Sequence, residues 1–152
     1  MYRFSLQTVL NHRKHKEEAL QKELSAKNAQ VLTAREELAR LQSLKMDNLY
    51  ALQQKQRDGA SVSDIVLYDG YIRQISENLR DQSHRITKLM REFSEKRREL
   101  IEAVKQRKIL DRLKEKEWAA YKRRLERKEQ ILMNEIAVSG FNRKKALHKL
   151  PS

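Results

Sequence analysis

The chain has 152 residues, 36% of them charged and 39% hydrophobic, with three glycines, one proline, no cysteine and a formal net charge of +13. An ordinary globular domain carries about 25% charged residues and roughly 12% glycine plus proline, so this chain has few places to turn and enough apolar residues only for narrow seams between helices. That excludes most enzyme folds, and the lack of cysteine excludes disulfides and thiolate metal sites.

The opening Met1-Tyr2-Arg3-Phe4-Ser5-Leu6 lacks the continuous apolar core of a secretory signal, and no window approaches the ~18 consecutive apolar residues of a bilayer span. The expectation is a cytoplasmic protein whose membrane association is peripheral.

Reading in sevens from Leu10 gives Leu10, Glu17, Leu24, Val31, Leu38, Lys45 and Leu52, and from Leu6 gives Leu6, Arg13, Leu20, Lys27, Ala34, Leu41 and Asn48. The two tracks alternate in steps of three and four, the a/d pattern that puts a narrow apolar stripe on one side of a coiled-coil helix. This predicts helix 1 over about 5–57. Near Arg57-Asp58-Gly59-Ala60-Ser61-Val62-Ser63-Asp64 the pattern stops: Gly59 suits a left-handed helix end, and Ser61 or Ser63 suits the cap of the next helix. A turn is expected over about 58–63.

Helix 2, predicted over about 64–139, carries the stronger tracks. One runs Ile65, Ile72, Leu79, Ile86, Phe93, Leu100, Arg107 and the other Tyr68, Ile75, Gln82, Leu89, Lys96, Ala103, Leu110, with eleven of the fourteen positions apolar. Beyond Leu110 the frame is expected to slip by four residues, so that Trp118, Tyr121, Leu125 and Leu132 align. Residues 140–152 follow a plausible cap glycine and are expected to form a basic, flexible tail.

The predicted fold is all-α: a long antiparallel two-helix coiled-coil hairpin, residue i opposite 119 − i, with helix 2 (~115 Å) overhanging helix 1 (~80 Å) at 1.5 Å per residue. Everything after about Trp118 is expected to lack a partner within the hairpin. The overhang is also the cationic part, since residues 105–152 carry 15 Lys/Arg against 6 Asp/Glu while residues 59–104 carry eight of each. Such asymmetry attracts an acidic partner: a protein surface, a nucleic acid or an anionic membrane.

The chemistry of catalysis is missing from the sequence. There is no Gly-rich phosphate loop, no H-E-x-x-H and no G-x-S-x-G. His12 and His15 sit among Arg13, Lys14 and Lys16, a repulsive setting for a metal cation, and His84 and His148 read as solvated side chains. No enzyme activity, cofactor, metal or small-molecule substrate is expected. Carboxylates such as Glu18 and Glu92 stand four residues before Lys22 and Lys96, the spacing of surface pairs on an exposed helix. Basic residues near Trp118 and Tyr121 would suit salt-dependent nucleic-acid binding. However, a basic zipper needs its basic block before the heptads, and here it follows them.

The opening Phe4-Ser5-Leu6-Gln7-Thr8-Val9-Leu10-Asn11-His12-Arg13, the pair of coiled-coil helices and the motif Tyr68-x-x-Tyr71-Ile72-x-x-Ile75-x-x-x-Leu79-x-x-Gln82 together resemble the FliJ family of flagellar type III export proteins. The resemblance implies a non-catalytic export component on the cytoplasmic face of the inner membrane. Its partners would be the hexameric export ATPase, the membrane export gate and export chaperones. The expected ATPase contact is the open end, with Phe4, Leu6, Leu10, Arg13, Trp118, Tyr121, Arg123, Arg124 and Arg127. Family positions used toward the gate match Tyr71, Ile75, Asn78 and Gln82, facing the neighbourhood of Leu44, Met46 and Tyr50. Tyr71 stands where the family often has Phe, and Gln82 where some members have His; as seam positions, Ile75 and Gln82 also suit plain packing against helix 1. The alternatives are the equivalent stalk of a virulence-type secretion system and a nucleic-acid-binding basic coiled coil.

Overall fold

The computed structural model describes residues 1–149; Leu150, Pro151 and Ser152, the end of the expected tail, lie outside the described residues. The fold is all-α, with α1 (Gln7–Arg57) and α2 (Val62–Leu147), and no strand occurs among the described residues. The chain forms two compact units, each using a stretch of both helices: His15–Val104, and Met1–Lys14 with the chain from Lys105 onward.

In the unit His15–Val104 the two helical stretches run antiparallel. Every predicted seam position from Glu17 to Leu52 and from Ile65 to Ala103 is buried or half-buried, with Val31, Ala34, Leu41, Ile72, Ile75 and Ile86 at the core. Side chains in a narrow two-helix seam lose most of their water only where the a/d stripes meet, so this burial follows directly from the heptad spacing. Three polar residues on the seam, Lys27, Gln82 and Lys96, find partners across it. Lys27 Nζ lies 2.7 Å from Glu92 Oε2 and Lys96 Nζ 2.8 Å from Glu23 Oε2, both on the 119 − i register. Gln82 Nε2 donates to the carbonyl of Ala34 at 2.8 Å.

These part-exposed ion pairs add little stability of their own, but they penalise any slipped alignment that would leave a seam charge unmatched. The hydrogen bond from Lys27 holds the Glu92 carboxyl below its ordinary range, against a smaller opposing push from lost hydration. A carboxyl depressed in the folded state contributes stability above its unfolded value, and that stability is lost as pH falls through the folded value. Between about pH 5 and pH 3, the melting temperature of Lys27→Met should therefore fall less steeply than that of the parent. Parallel acid profiles would mean that the pair does not form in solution.

The turn is built from local chemistry. Gly59 adopts φ 78°, the one positive φ among the described residues, and the N–H of Ala60 reaches back to the carbonyl of Lys55 at 2.9 Å, closing α1 in a Schellman-type end. Ser61 Oγ then accepts the N–H of Asp64 at 3.3 Å, the N-cap bond anticipated from its position. Lys55 Nζ sits 5.4 Å from the centre of the Tyr68 ring, adding a cation–π contact beside the turn.

In the other unit, two expectations need correction. The heptad frame does not slip after Leu110: Lys114, Glu117 and Tyr121 continue it and are half-buried, whereas Trp118, which a slip would turn inward, is 50% exposed. The frame survives its polar residues because Lys114 lays its stem along the seam and donates from Nζ to Gln7 Oε1 at 2.8 Å. Secondly, α2 does not end near Ser139 but runs through Gly140 to Leu147. A glycine inside a helix costs only about 1 kcal/mol relative to alanine, and the residues after it favour helix, with Lys144 and Lys145 complementing the negative end of the helix dipole.

Candidate functional site

In the unit formed by Met1–Lys14 and the chain from Lys105, the segment before α1 folds over α2. Phe4 is 4% exposed and Leu10 fully buried. Tyr2 places its ring 5.1 Å from that of Trp118, edge on, and 5.5 Å from that of Tyr121, while Trp118 and Tyr121 lie nearly parallel at 5.8 Å. Aromatic pairs at these distances and angles attract through their quadrupoles beyond simple burial. The Tyr2 hydroxyl donates to the carbonyl of Lys114 at 3.3 Å. Loss of hydration, reinforced by the Glu117 carboxylate, raises the pKa of the phenol, so it remains a donor well into the alkaline range.

The expectation that Trp118 and Tyr121 lack partners is thus corrected: Tyr2 caps both. Sequence reasoning missed Tyr2 because it precedes the first heptad, although the 119 − i pairing puts it opposite residue 117. Beyond the cap, every residue from Lys122 to Lys149 is exposed. That stretch carries nine Lys/Arg against three Glu and large apolar side chains at Leu125, Ile131, Leu132, Met133, Ile136, Val138, Phe141 and Leu147.

The residues expected to meet the ATPase therefore divide. Phe4 and Leu10 face inward and hold the unit together. Leu6, Trp118, Arg123, Arg124 and Arg127 present surface, and Arg13 and Tyr121 are half-buried. Arg123 Nε donates to the carbonyl of Ala119 at 3.3 Å.

The residues expected to meet the gate all lie in the unit His15–Val104, and they divide in the same way. Ile75 is 2% exposed and has no surface to offer a partner, and Gln82 spends its amide N–H on α1. Tyr50 and Tyr71 are 65% and 48% exposed, and Asn78 is exposed and accepts the amide of Gln74 on its own helix at 3.3 Å. Beside Asn78 runs a shallow groove lined by Glu37, Arg40, Leu41, Asp81, Gln82 and Arg85. There Arg40 binds Glu37 through two hydrogen bonds of 2.9 and 2.8 Å, which hold the Glu37 carboxyl below its ordinary range. Glu37 is one of the carboxylates that the sequence places three or four residues from a basic partner, and the pair with Arg40 is of that surface kind.

Among the described residues no three His, Asp or Glu side chains gather as metal ligands, and no helix is long and apolar enough to cross a membrane.

A chain of two long helices packed as a hairpin, with a basic, exposed terminal stretch, belongs to the class of all-helical coiled-coil proteins. The family model described as Flagellar FliJ protein matches residues 2–146. The chain belongs to the FliJ family, a family of non-catalytic export-apparatus components, and is a component of the flagellar type III export apparatus. No curated protein and no solved structure matches it.

Proposed function

We propose that the chain couples the hexameric flagellar export ATPase to the membrane export gate and escorts export chaperones, working at the cytoplasmic face of the inner membrane. The observation that carries this reading is the terminal part of α2: wholly exposed, basic and studded with apolar side chains, it is a surface built for an acidic protein partner. The ATPase contact runs through Leu6, Trp118, Arg123, Arg124 and Arg127, on the scaffold set by Phe4, Leu10 and Tyr2. The gate contact runs through Tyr50, Tyr71 and Asn78, with Ile75 and Gln82 holding α2 in register beneath them. One chain with two separate binding surfaces can keep two machines together without performing chemistry on either.

The test is a titration of the full chain into the export ATPase, following ATP hydrolysis and ring assembly, beside a variant ending at Tyr121 that keeps the aromatic cap. Stimulation by the full chain alone is expected. Equal stimulation by the shortened chain would remove the terminal helix from the contact, and no binding by the full chain would sink the coupling role.

A further inference from the structure

Within the unit His15–Val104, α2 sorts its charge by side. With Ile65 and Tyr68 counted as heptad positions a and d, the five carboxylates between Arg80 and Glu102, namely Asp81, Glu92, Glu95, Glu99 and Glu102, all fall at c or g. The b, e and f positions of the same stretch carry no Asp or Glu and hold Arg80, Arg91, Arg97 and Arg98, all exposed. From Arg80 to Arg98 the row runs about 27 Å and keeps within about 120° of the helix circumference. None of these four guanidiniums has an ion-pair or hydrogen-bond partner among the described residues, whereas Glu92 and Glu99 on the other flank are held by Lys27 and Lys96. Arg35 of α1 joins the row from across the seam: its Nη2 lies 3.6 Å from Sδ of Met90, and no carboxylate pairs with it. Among the charges stand three apolar side chains, Leu32, Met90 and Ile101, which are 52%, 44% and 47% exposed.

We infer that this face lies directly on an anionic phospholipid bilayer, with the five guanidiniums on headgroup phosphates and Leu32, Met90 and Ile101 reaching the boundary of the acyl chains. A guanidinium matches phosphate through its planar fork of donors, and basic residues held at an anionic leaflet add their attractions one by one. The carboxylates help by their placement: at c and g they point away from the surface that would repel them. A bilayer offers a continuous plane of phosphates, so it satisfies a straight row of any spacing, and its interface takes aliphatic side chains between the charges. A single-stranded nucleic acid fits less well, because it needs rings to stack on and the b, e and f positions from Arg80 to Ile101 hold none. Neither the ATPase nor the gate takes part in this contact, so it holds or fails independently of the coupling role.

The test is co-flotation of the full chain, without partner proteins, with vesicles of phosphatidylglycerol and phosphatidylethanolamine in equal parts at physiological salt. One variant carries Arg91→Gln, Arg97→Gln and Arg98→Gln. Its control carries Lys16→Gln, Lys22→Gln and Lys88→Gln, which remove the same charge from exposed positions of the same unit but off the face. Because all six residues are exposed, helicity and melting should match the parent in both. The face variant should bind about 100-fold more weakly than the parent, the loss of three basic contacts with an anionic surface. The control should stay within about threefold, since charges more than a Debye length from the bilayer are screened. Equal losses in the two variants would mean that overall charge, and not this face, meets the lipid, and would overturn the inference. So would a parent that does not float, or one that floats as well with vesicles of phosphatidylcholine alone. If the parent fails to float yet binds an oligonucleotide or an acidic protein, and the face variant loses that binding, the row belongs to that partner and the lipid assignment falls.

Discussion

Replacing Ile75 by alanine is expected to destabilise the fold by about 2–5 kcal/mol, the range for truncating a buried aliphatic side chain that leaves a cavity. For a chain of this size that corresponds to a fall in melting temperature on the order of 10 °C. Ile75 is 2% exposed and sits in a seam only one side chain deep. A cavity there cannot be filled by neighbouring layers, because a two-helix seam has none. The companion variant, Tyr71→Ala with Asn78→Ala, removes two exposed side chains on the same helix. Its helicity and melting should stay near those of the parent, while its affinity for the gate drops. Read together by thermal unfolding and gate binding, the two variants separate scaffold from surface. A gate affinity unchanged in the Tyr71/Asn78 variant would remove both residues from the contact, and an Ile75→Ala chain that melts with the parent would mean that the seam is not where the burial places it.

Most of the fold is legible in the chain because heptad spacing is a one-dimensional record of a one-dimensional interface. Each a/d residue from Glu17 to Ala103 finds its place on the seam; among the polar ones Lys27 and Lys96 meet partners at the register that the turn dictates, and Gln82 reaches a backbone carbonyl of α1. The turn is equally legible, since Gly59 and Ser61 are placed by backbone rules that act over a few residues.

Legibility fails where the seam becomes polar or loses its periodicity. Lys114 and Glu117 hide the continuing frame, because a lysine that lies along a seam by its stem spells the same as one in water. Tyr2 acts from outside either helix, through ring contacts that no spacing encodes. Gly140 has the composition of a stop signal, yet nothing around it forces the left-handed conformation that makes Gly59 one.

The residues proposed to bind are the least legible for a related reason: the buried Leu10 and Ile75 are apolar side chains of the same kind as the exposed Leu6 and Leu132. An apolar residue at helical spacing reads alike whether its partner is the other helix of the chain or another protein. Only burial sorts the two groups.

Reversing Arg123, Arg124 and Arg127 to glutamate changes the terminal stretch by six charges, turning Lys122–Lys149 from six positive to neutral. All three side chains are exposed and lie just past the aromatic cap, so the fold should be untouched and circular dichroism should match the parent. The proposed contact with the ATPase should weaken by a factor of about 100 at low salt, most of it through slower association, because long-range attraction between a cationic helix and an acidic ring steers encounter more than it holds the complex. At physiological ionic strength the Debye length is about 8 Å, and the deficit should shrink as salt screens the parent's own attraction. Association rates measured across a salt series decide the matter. Convergence of parent and variant at high salt is the signature of steering, and a deficit that persists there would place the three guanidiniums in direct, desolvated contact. Equal affinities at every salt concentration would show that the basic segment past Tyr121 is not what the ATPase reads.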